Sequence, residues 1–224
     1  MPDRFEPPAD GRPDDRPWPE ATWPPAADTV LGGDWVELRP TVAEDAPRLC
    51  AALDDDRVWA HLAGRPVSPA DVASRLDVIR AAGWFPWTLR LARPVGGLAP
   101  GAVVGWSSYL EVSTADARCE IGNTAYAPAV WAGPANPEAK LLLLGHAFDV
   151  LGMGRVQLKT DVRNVRSQQA IARLGARYEG VLRRYQRRAD GTVRDTVLFS
   201  ITAEEWPEVR AGLVDRLSTF KPSA

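Results

Sequence analysis

Cysteine is nearly absent: Cys50 and Cys119 are the only two in 224 residues, and they stand too far apart for a metal-binding or redox pair. Both are expected to pack as small hydrophobes in a reducing compartment, which points to a cytoplasmic protein. Long apolar runs are missing, so no segment is expected to cross a bilayer. The first residues carry proline and acid where a secretory signal needs an apolar stretch. An excess of charge is missing too, since 27 Lys and Arg face 29 Asp and Glu for a formal net charge of −2. That balance argues against a nucleic-acid partner, which calls for a basic excess gathered on one face. The one locally basic stretch, Arg183, Arg184, Arg187 and Arg188, reads as a solvated strand and hairpin in preference to an anion site.

The length suits one well-buried domain with an arm, and is too short for two large domains. Residues 1–28 are rich in Pro, Asp and Arg and lack a sustained period, so they read as a flexible arm ahead of a domain over 29–220. Trp18 and Trp23 can dock that arm on the domain or on a second subunit of a homodimer, although its composition favours an extended tail.

Within the domain, a strand over 35–39 leads to Thr41 and Glu44, spaced as a capping box for a helix through Leu53. Ser68-Pro69 starts a second helix running to about Ala82. Three strand-like segments follow over 85–92, 102–110 and 119–127, separated by turn residues. Leu141, Leu144, Phe148 and Leu151, widened by Leu143, Ala147 and Val150, form the clearest helical stripe, which Gly152 ends. A strand over 155–162, a short helix over 165–174, a hairpin turning at Asp190-Gly191 and a final helix after the Thr202 to Glu205 capping box complete the pattern. The order β-αα-βββ-α-β-α-ββ-α indicates an α+β fold, with a mostly antiparallel sheet covered by helices on both faces.

The segment before the most periodic helix has the chemistry of an anion site. Asn136 reads as its N-cap, Pro137 as its first residue and Glu138 as a first-turn acid. Gly133 and Ala135 are small enough to let backbone N–H groups approach a pyrophosphate at the positive end of the helix dipole. An ordinary tight βα loop accounts for the same residues.

The motifs Glu120-Ile121-Gly122-Asn123, Trp131-x-Gly133 and Asn136-x-Glu138-Ala139-Lys140 with the leucines 141–144 resemble motif A of the GNAT acyltransferases. More specifically, they are similar to the branch that acetylates the N-termini of ribosomal proteins. The resemblance continues through Lys159-Thr160-Asp161-x-x-Asn164-x-x-Ser167, Ala170-Ile171-x-Arg173-Leu174-Gly175-Ala176, Asp190-Gly191, Arg194-Asp195-Thr196 and Glu205-Trp206. It spans about residues 30–217. It implies a mixed, twisted sheet that splays into a V between its fourth and fifth strands, where the pantetheine arm of acetyl-CoA or another acyl-CoA lies. The backbone of Thr124, Ala125 and Tyr126 would line that groove. The loop Trp131, Ala132, Gly133, Pro134, Ala135 and Asn136 would hold the pyrophosphate. Val130 stands where the pattern carries Gln or Arg, which leaves more of the phosphate binding to backbone amides and Asn136.

An amine acceptor arrives protonated, so a base is required. Glu120 is the leading candidate, because strand alternation is expected to set it on one face with Gly122, Thr124 and Tyr126. Its plainer reading is an ion-paired strand carboxylate, and a water chain leading to Glu120 or Asp161 would serve as well. Asn164 and Ser167, three residues apart at a helix start, can both face the cofactor sulfur. The resemblance implies that the serine acts as general acid. A hydroxyl is a weak acid beside a thiol, so stabilising or relaying to the thiolate suits Ser167 better. Capping alone would explain Asn164 equally.

His61, between the first two helices, and neighbouring Trp59 are candidates for the acceptor wall, and His146 reads as structural. Cys119 alternates away from Glu120, which argues against a covalent route. The expected reaction is transfer of an acetyl group to a primary amine on a small molecule or a protein, in a ternary complex, without metal. Succinyl-CoA as donor, or a silent acyl-CoA-binding module, are the alternatives.

Overall fold

The computed structural model describes residues 6–11, 17–62 and 64–221. Eight strands form a single sheet in the order β1-β2-β3-β4-β5-β6-β8-β7: β1 Leu31–Gly32, β2 Val36–Pro40, β3 Phe85–Leu91, β4 Val103–Ser113, β5 Arg118–Tyr126, β6 Arg155–Asp161, β7 Arg177–Arg187 and β8 Val193–Thr202. Neighbours run antiparallel except β5 and β6. The six α-helices are α1 Ala46–Ala52, α2 Asp56–Trp59, α3 Pro69–Ala81, α4 Ala135–Gly145, α5 Val165–Ala172 and α6 Trp206–Ser218. The expected element order therefore holds, with the two-residue β1 and the four-residue α2 added. Both are too short to leave a periodic signal.

Each face of the sheet is sealed by its own helices. Leu143, Leu144 and Ala147 from the α4 region and Trp206, Val209 and Leu213 of α6 pack against Tyr109, Cys119, Ile121, Val156, Leu158, Phe199 and Ile201. On the opposite face, Leu49 of α1, Trp59 of α2 and Leu76 of α3 close over Val103, Trp106 and Ala125. Trp87 and Trp106 are fully buried, and truncating either to alanine is worth about 3–5 kcal/mol. On α4 the buried stripe is centred on Ala139, Leu143 and Ala147, whereas Val150 is exposed. The π-helical turn over His146–Val150 takes more residues per turn, so Leu151 follows Ala147 into the core and Val150 is left outside it. At this turn His146 is buried as expected, with the Tyr109 hydroxyl 3.3 Å from its Nδ1.

Three helix starts differ from the sequence reading. Before α1 it is Asp45 Oδ2 that accepts from the Val42 N–H, at 3.2 Å, so the cap sits one residue beyond the Thr41 and Glu44 pair. α4 begins at Ala135 with Pro134 before it, which puts Asn136 inside the first turn and not at the cap. For α6, Glu205 Oε2 does accept from Thr202 N–H at 2.9 Å, but residues 203–205 form a turn and the helix starts only at Trp206, four residues beyond the expected start at Thr202. Ser68 acts as expected, accepting from Asp71 N–H at 3.2 Å. Of the arm, residues 1–5 and 12–16 lie outside the description. Trp23 rests against the core, its ring 5.8 Å from Phe85 and 6.0 Å from Tyr109, and Thr22 N–H donates to Leu151 O at 2.9 Å.

Candidate active site

β5 and β6 are paired only through Arg118–Arg155, Cys119–Val156 and Glu120–Gln157. Beyond that point they diverge, and their facing edges from Ile121 and Leu158 onward have no strand partner. This is the expected V, between the fourth and fifth strands as read from sequence and the fifth and sixth once β1 is counted. A β-bulge drives the divergence. Gly122 pairs with Ser108, but Ala125 pairs with Trp106, so β5 carries one extra residue, with Asn123 at φ 47°. The side-chain Nδ2 of Asn123 is buried there without a hydrogen-bond partner among the described residues.

The bulge overturns the expected alternation. Glu120 and Gly122 share one face, but Thr124 and Tyr126 turn to the α4 side: Tyr126 joins the α4 core, and Thr124 Oγ1 accepts from Lys140 Nζ at 2.9 Å. Lys140 also donates to Ser107 Oγ at 3.1 Å, and the two hydroxyls lie 2.8 Å apart. Burial pulls this amine down to about 7, with only a small opposing contribution from Glu120.

Glu120 sits at the vertex of the V, where a Cβ on Gly122 would come within 2.7 Å of its Oε1. Lys159 Nζ lies 2.9 Å from Glu120 Oε2 and donates to Glu111 Oε1 at 2.6 Å and to Tyr185 Oη at 2.9 Å. A second bulge, with Glu111 at φ 50°, delivers that carboxylate, and β7 carries two extra residues between Leu182 and Gln186 where Tyr185 emerges. Burial pushes the Glu120 carboxyl up to about 7, although Lys159 and Gln157 oppose it. Burial lowers the Lys159 ammonium as well, but Glu120, Glu111 and Tyr185 outweigh that and hold it above the usual lysine range. Glu120 is thus both an ion-paired strand carboxylate and one that titrates near neutrality.

Asp161 is a different case. Arg188 donates to both its oxygens, at 2.6 and 2.8 Å, and holds the carboxyl down at about 2, so this carboxylate is committed. Asn164 Oδ1 caps α5 by accepting from Ser167 N–H at 3.0 Å, and Ser167 is half-buried in that first turn.

The loop Trp131 to Asn136 lies at the start of α4. Trp131 Nε1 donates to Tyr126 O at 2.8 Å, and its ring lies between two guanidinium groups, Arg166 at 3.8 Å and Arg57 at 5.7 Å from its centroid. The Arg166 contact links the loop to α5. Ala132 is left-handed at φ 58°, and a Cβ on Gly133 would meet Val130 O at 3.3 Å. On the acceptor side, His61 is exposed. Trp59 is buried, with its Nε1 donating to Leu53 O at 2.8 Å and its ring 6.0 Å from Trp106, which gives it packing work behind that wall. Cys119 is buried on the α4 face, and burial pushes its thiol up to about 12.

Sequence reading overlooked Lys140, Lys159, Glu111 and Tyr185 as participants. For the lysines a signal existed: Lys159 alternates with Gln157 and Asp161 on β6, and Lys140 interrupts an otherwise apolar stripe. The bulges that bring in Glu111 and Tyr185 leave none. Among the described residues no group of three or more His, Cys, Asp or Glu side chains is arranged to hold a metal, and no helix is long and apolar enough to cross a membrane.

A strand pair that opens beside a small-residue loop at a helix start defines an acyl-CoA-dependent acyltransferase scaffold. The chain belongs to the acetyltransferase (GNAT) domain family, whose pattern it matches over residues 36–177. It is similar to a protein of T. thermophilus assigned as an acetyltransferase, with 37% identity over 88% of this chain and 100% of that one, at a TM-score of 0.75. A GCN5-related N-acetyltransferase from Brucella melitensis shares 25% identity over 90% of each chain, with a TM-score of 0.79. Mycobacterium smegmatis RimJ, solved in complex with CoA-disulfide, shares 26% over 89% of this chain and 97% of that one, at 0.70. No curated protein matches the chain by sequence.

Proposed function

We propose that the protein transfers an acetyl group from acetyl-CoA to a primary amine of a small molecule or a protein, by direct attack in a ternary complex. The reading rests on the unpaired edges of β5 and β6 above Glu120, which offer a strand-like pantetheine arm free backbone partners on both sides. RimJ of Mycobacterium smegmatis, at 26% identity, was solved with CoA-disulfide, which supports CoA as the cofactor class. The backbone of Thr124, Ala125 and Tyr126 would line the groove. The residues from Trp131 to Asn136 would take the pyrophosphate, with the first-turn N–H groups of α4 and Arg166 beside Trp131 supplying the positive potential that Val130 withholds.

In this scheme Glu120 takes the proton of the acceptor ammonium, directly or through water, and its carboxyl near 7 is matched to that task. The nitrogen then attacks the thioester carbonyl. Backbone N–H groups of the splayed half of β5 stabilise the oxyanion as the C–N bond forms. The C–S bond breaks, the nitrogen's second proton passes through water or the Ser167 hydroxyl to the departing thiolate, which leaves as free CoA, and Asn164 holds the turn that presents Ser167. His61 contacts the acceptor from the α2 side, with Trp59 bracing that wall. Cytoplasmic location and a homodimer belong to the same proposal.

The test is release of free CoA from acetyl-CoA, measured across a panel of amines. Amine-dependent release with a matching acetylated product is the expected outcome. Tight acyl-CoA binding without release for any amine would mark a silent binding module.

A further inference from the structure

On the face of the sheet that carries Glu120, each carboxylate near the V is already matched to a cation. Glu120 and Glu111 share Lys159, Asp161 is gripped by Arg188, and Glu179 accepts from Arg155 at 2.6 Å through each of its oxygens. Among the described residues, one half-buried cation on this face is left without such a match. Arg194 is half-buried on β8, has no ion-pair partner among the described residues, and its Nε is buried without a hydrogen bond. Burial lowers this guanidinium, with Asp161 and Glu120 opposing from a distance.

The register places Arg194 at the open end of the V. Asp161, the last residue of β6, pairs with Thr196, so Arg194 lies two residues further toward the open end of the V. Val197, Phe199 and Ile201 of β8 point into the α4 core, which sends Arg194 and Thr196 to the Glu120 face. The Thr196 hydroxyl, two residues along the same face, is also buried without a hydrogen-bond partner among the described residues, so a ligand entering there would meet two unsatisfied polar groups. A half-buried guanidinium without an acceptor is costly unless something supplies one, and its planar fork suits a carboxylate.

We propose that Arg194 anchors a carboxylate carried by one of the two reactants, either the amine acceptor or the acyl group of the donor. The inference rests on the transfer reading above and narrows its substrate class to carboxylate-bearing molecules. The two sources differ in experiment. With acetyl-CoA, a dipeptide is compared with its C-terminal amide. With one fixed amine, succinyl-CoA is compared with butyryl-CoA.

In one of these pairs kcat/KM should favour the carboxylate by roughly ten- to a hundredfold. Arg194→Gln should collapse that ratio to about twofold or less, and Arg194→Lys should restore part of it. No preference in either pair, or a preference that survives Arg194→Gln, would overturn the proposal. The same ratios are read as affinities by calorimetry, using succinyl-CoA against butyryl-CoA, and an N-acetyl dipeptide against its amide on the CoA-loaded protein. Discrimination in binding without any turnover would sink the transfer reading and keep the anchor; turnover without discrimination would do the reverse.

Discussion

Lys159 Nζ stands 2.9 Å from Glu120 Oε2 at the point where β5 and β6 part. The pair joins a permanent cation to a carboxyl that burial has pushed up to about 7. The two therefore act as a unit, and the charge of one sets the proton affinity of the other.

Changing Glu120→Gln should lower turnover by roughly ten- to a thousandfold and remove the acid limb of the pH–rate profile near neutrality. The residual rate should climb with pH as more acceptor is already deprotonated. Lys159→Met, by taking away the cation, should move the limb to higher pH in place of removing it. Steady-state kcat/KM between pH 5 and 10 reads both, and an unaltered profile in Glu120→Gln would assign the deprotonation elsewhere.

Ser167→Ala should reduce kcat by roughly ten- to a thousandfold with acyl-CoA affinity little changed, because the hydroxyl meets a charge that exists only as the C–S bond breaks. A variant that merely binds acyl-CoA more weakly would make Ser167 a first-turn packing residue.

Gly133→Val should weaken acyl-CoA binding. The added Cβ would lie 3.3 Å from Val130 O, a tight contact met by a shift of a few tenths of an ångström, and the valine methyls would occupy space at the loop where the pyrophosphate is proposed to sit. Calorimetric titration with acetyl-CoA measures the loss, and an unchanged affinity would remove the pyrophosphate from this loop.

Lys140 has a sign that can be worked out. Its amine falls from the ordinary 10.5 to about 7 in the folded state, so the unfolded chain binds more protons between those values. Stability should thus rise with pH across that window, with the contribution present above 10.5 and lost as pH falls through 7. Lys140→Met leaves Ser107 and Thr124 bonded to each other and removes the buried amine, so its melting temperature at pH 7 should rise and its slope from pH 7 to 10 should flatten. Thermal melts of both proteins at several pH values test this.

Deleting residues 1–18 should leave folding and acyl-CoA binding intact, whereas Trp23→Ala should cost about 1–3 kcal/mol by uncovering Phe85 and Tyr109. Equal melting temperatures for Trp23→Ala and the native chain would make all of the arm dispensable.

Much of this molecule was legible along the chain. The α4 stripe, the Ser68 cap, the hairpin at Asp190-Gly191 and the strands over 85–91 and 155–161 all follow from spacings of two to four residues, which local propensity and periodicity report directly. The family was legible too, but through the resemblance of the motifs from Glu120 to Trp206 to a known pattern, which propensity and periodicity do not report. Tertiary structure decided where alternation fails. One extra residue near Asn123 sends Thr124 and Glu120 to opposite faces, and further bulges at Glu111 and before Gln186 bring Glu111 and Tyr185 onto Lys159. A bulge exists only in the pairing of two strands, so neither strand's own sequence declares it. Charge matching is just as non-local: that Asp161 belongs to Arg188, and that Arg194 has no carboxylate partner among the described residues, depends on strands brought together across the sheet.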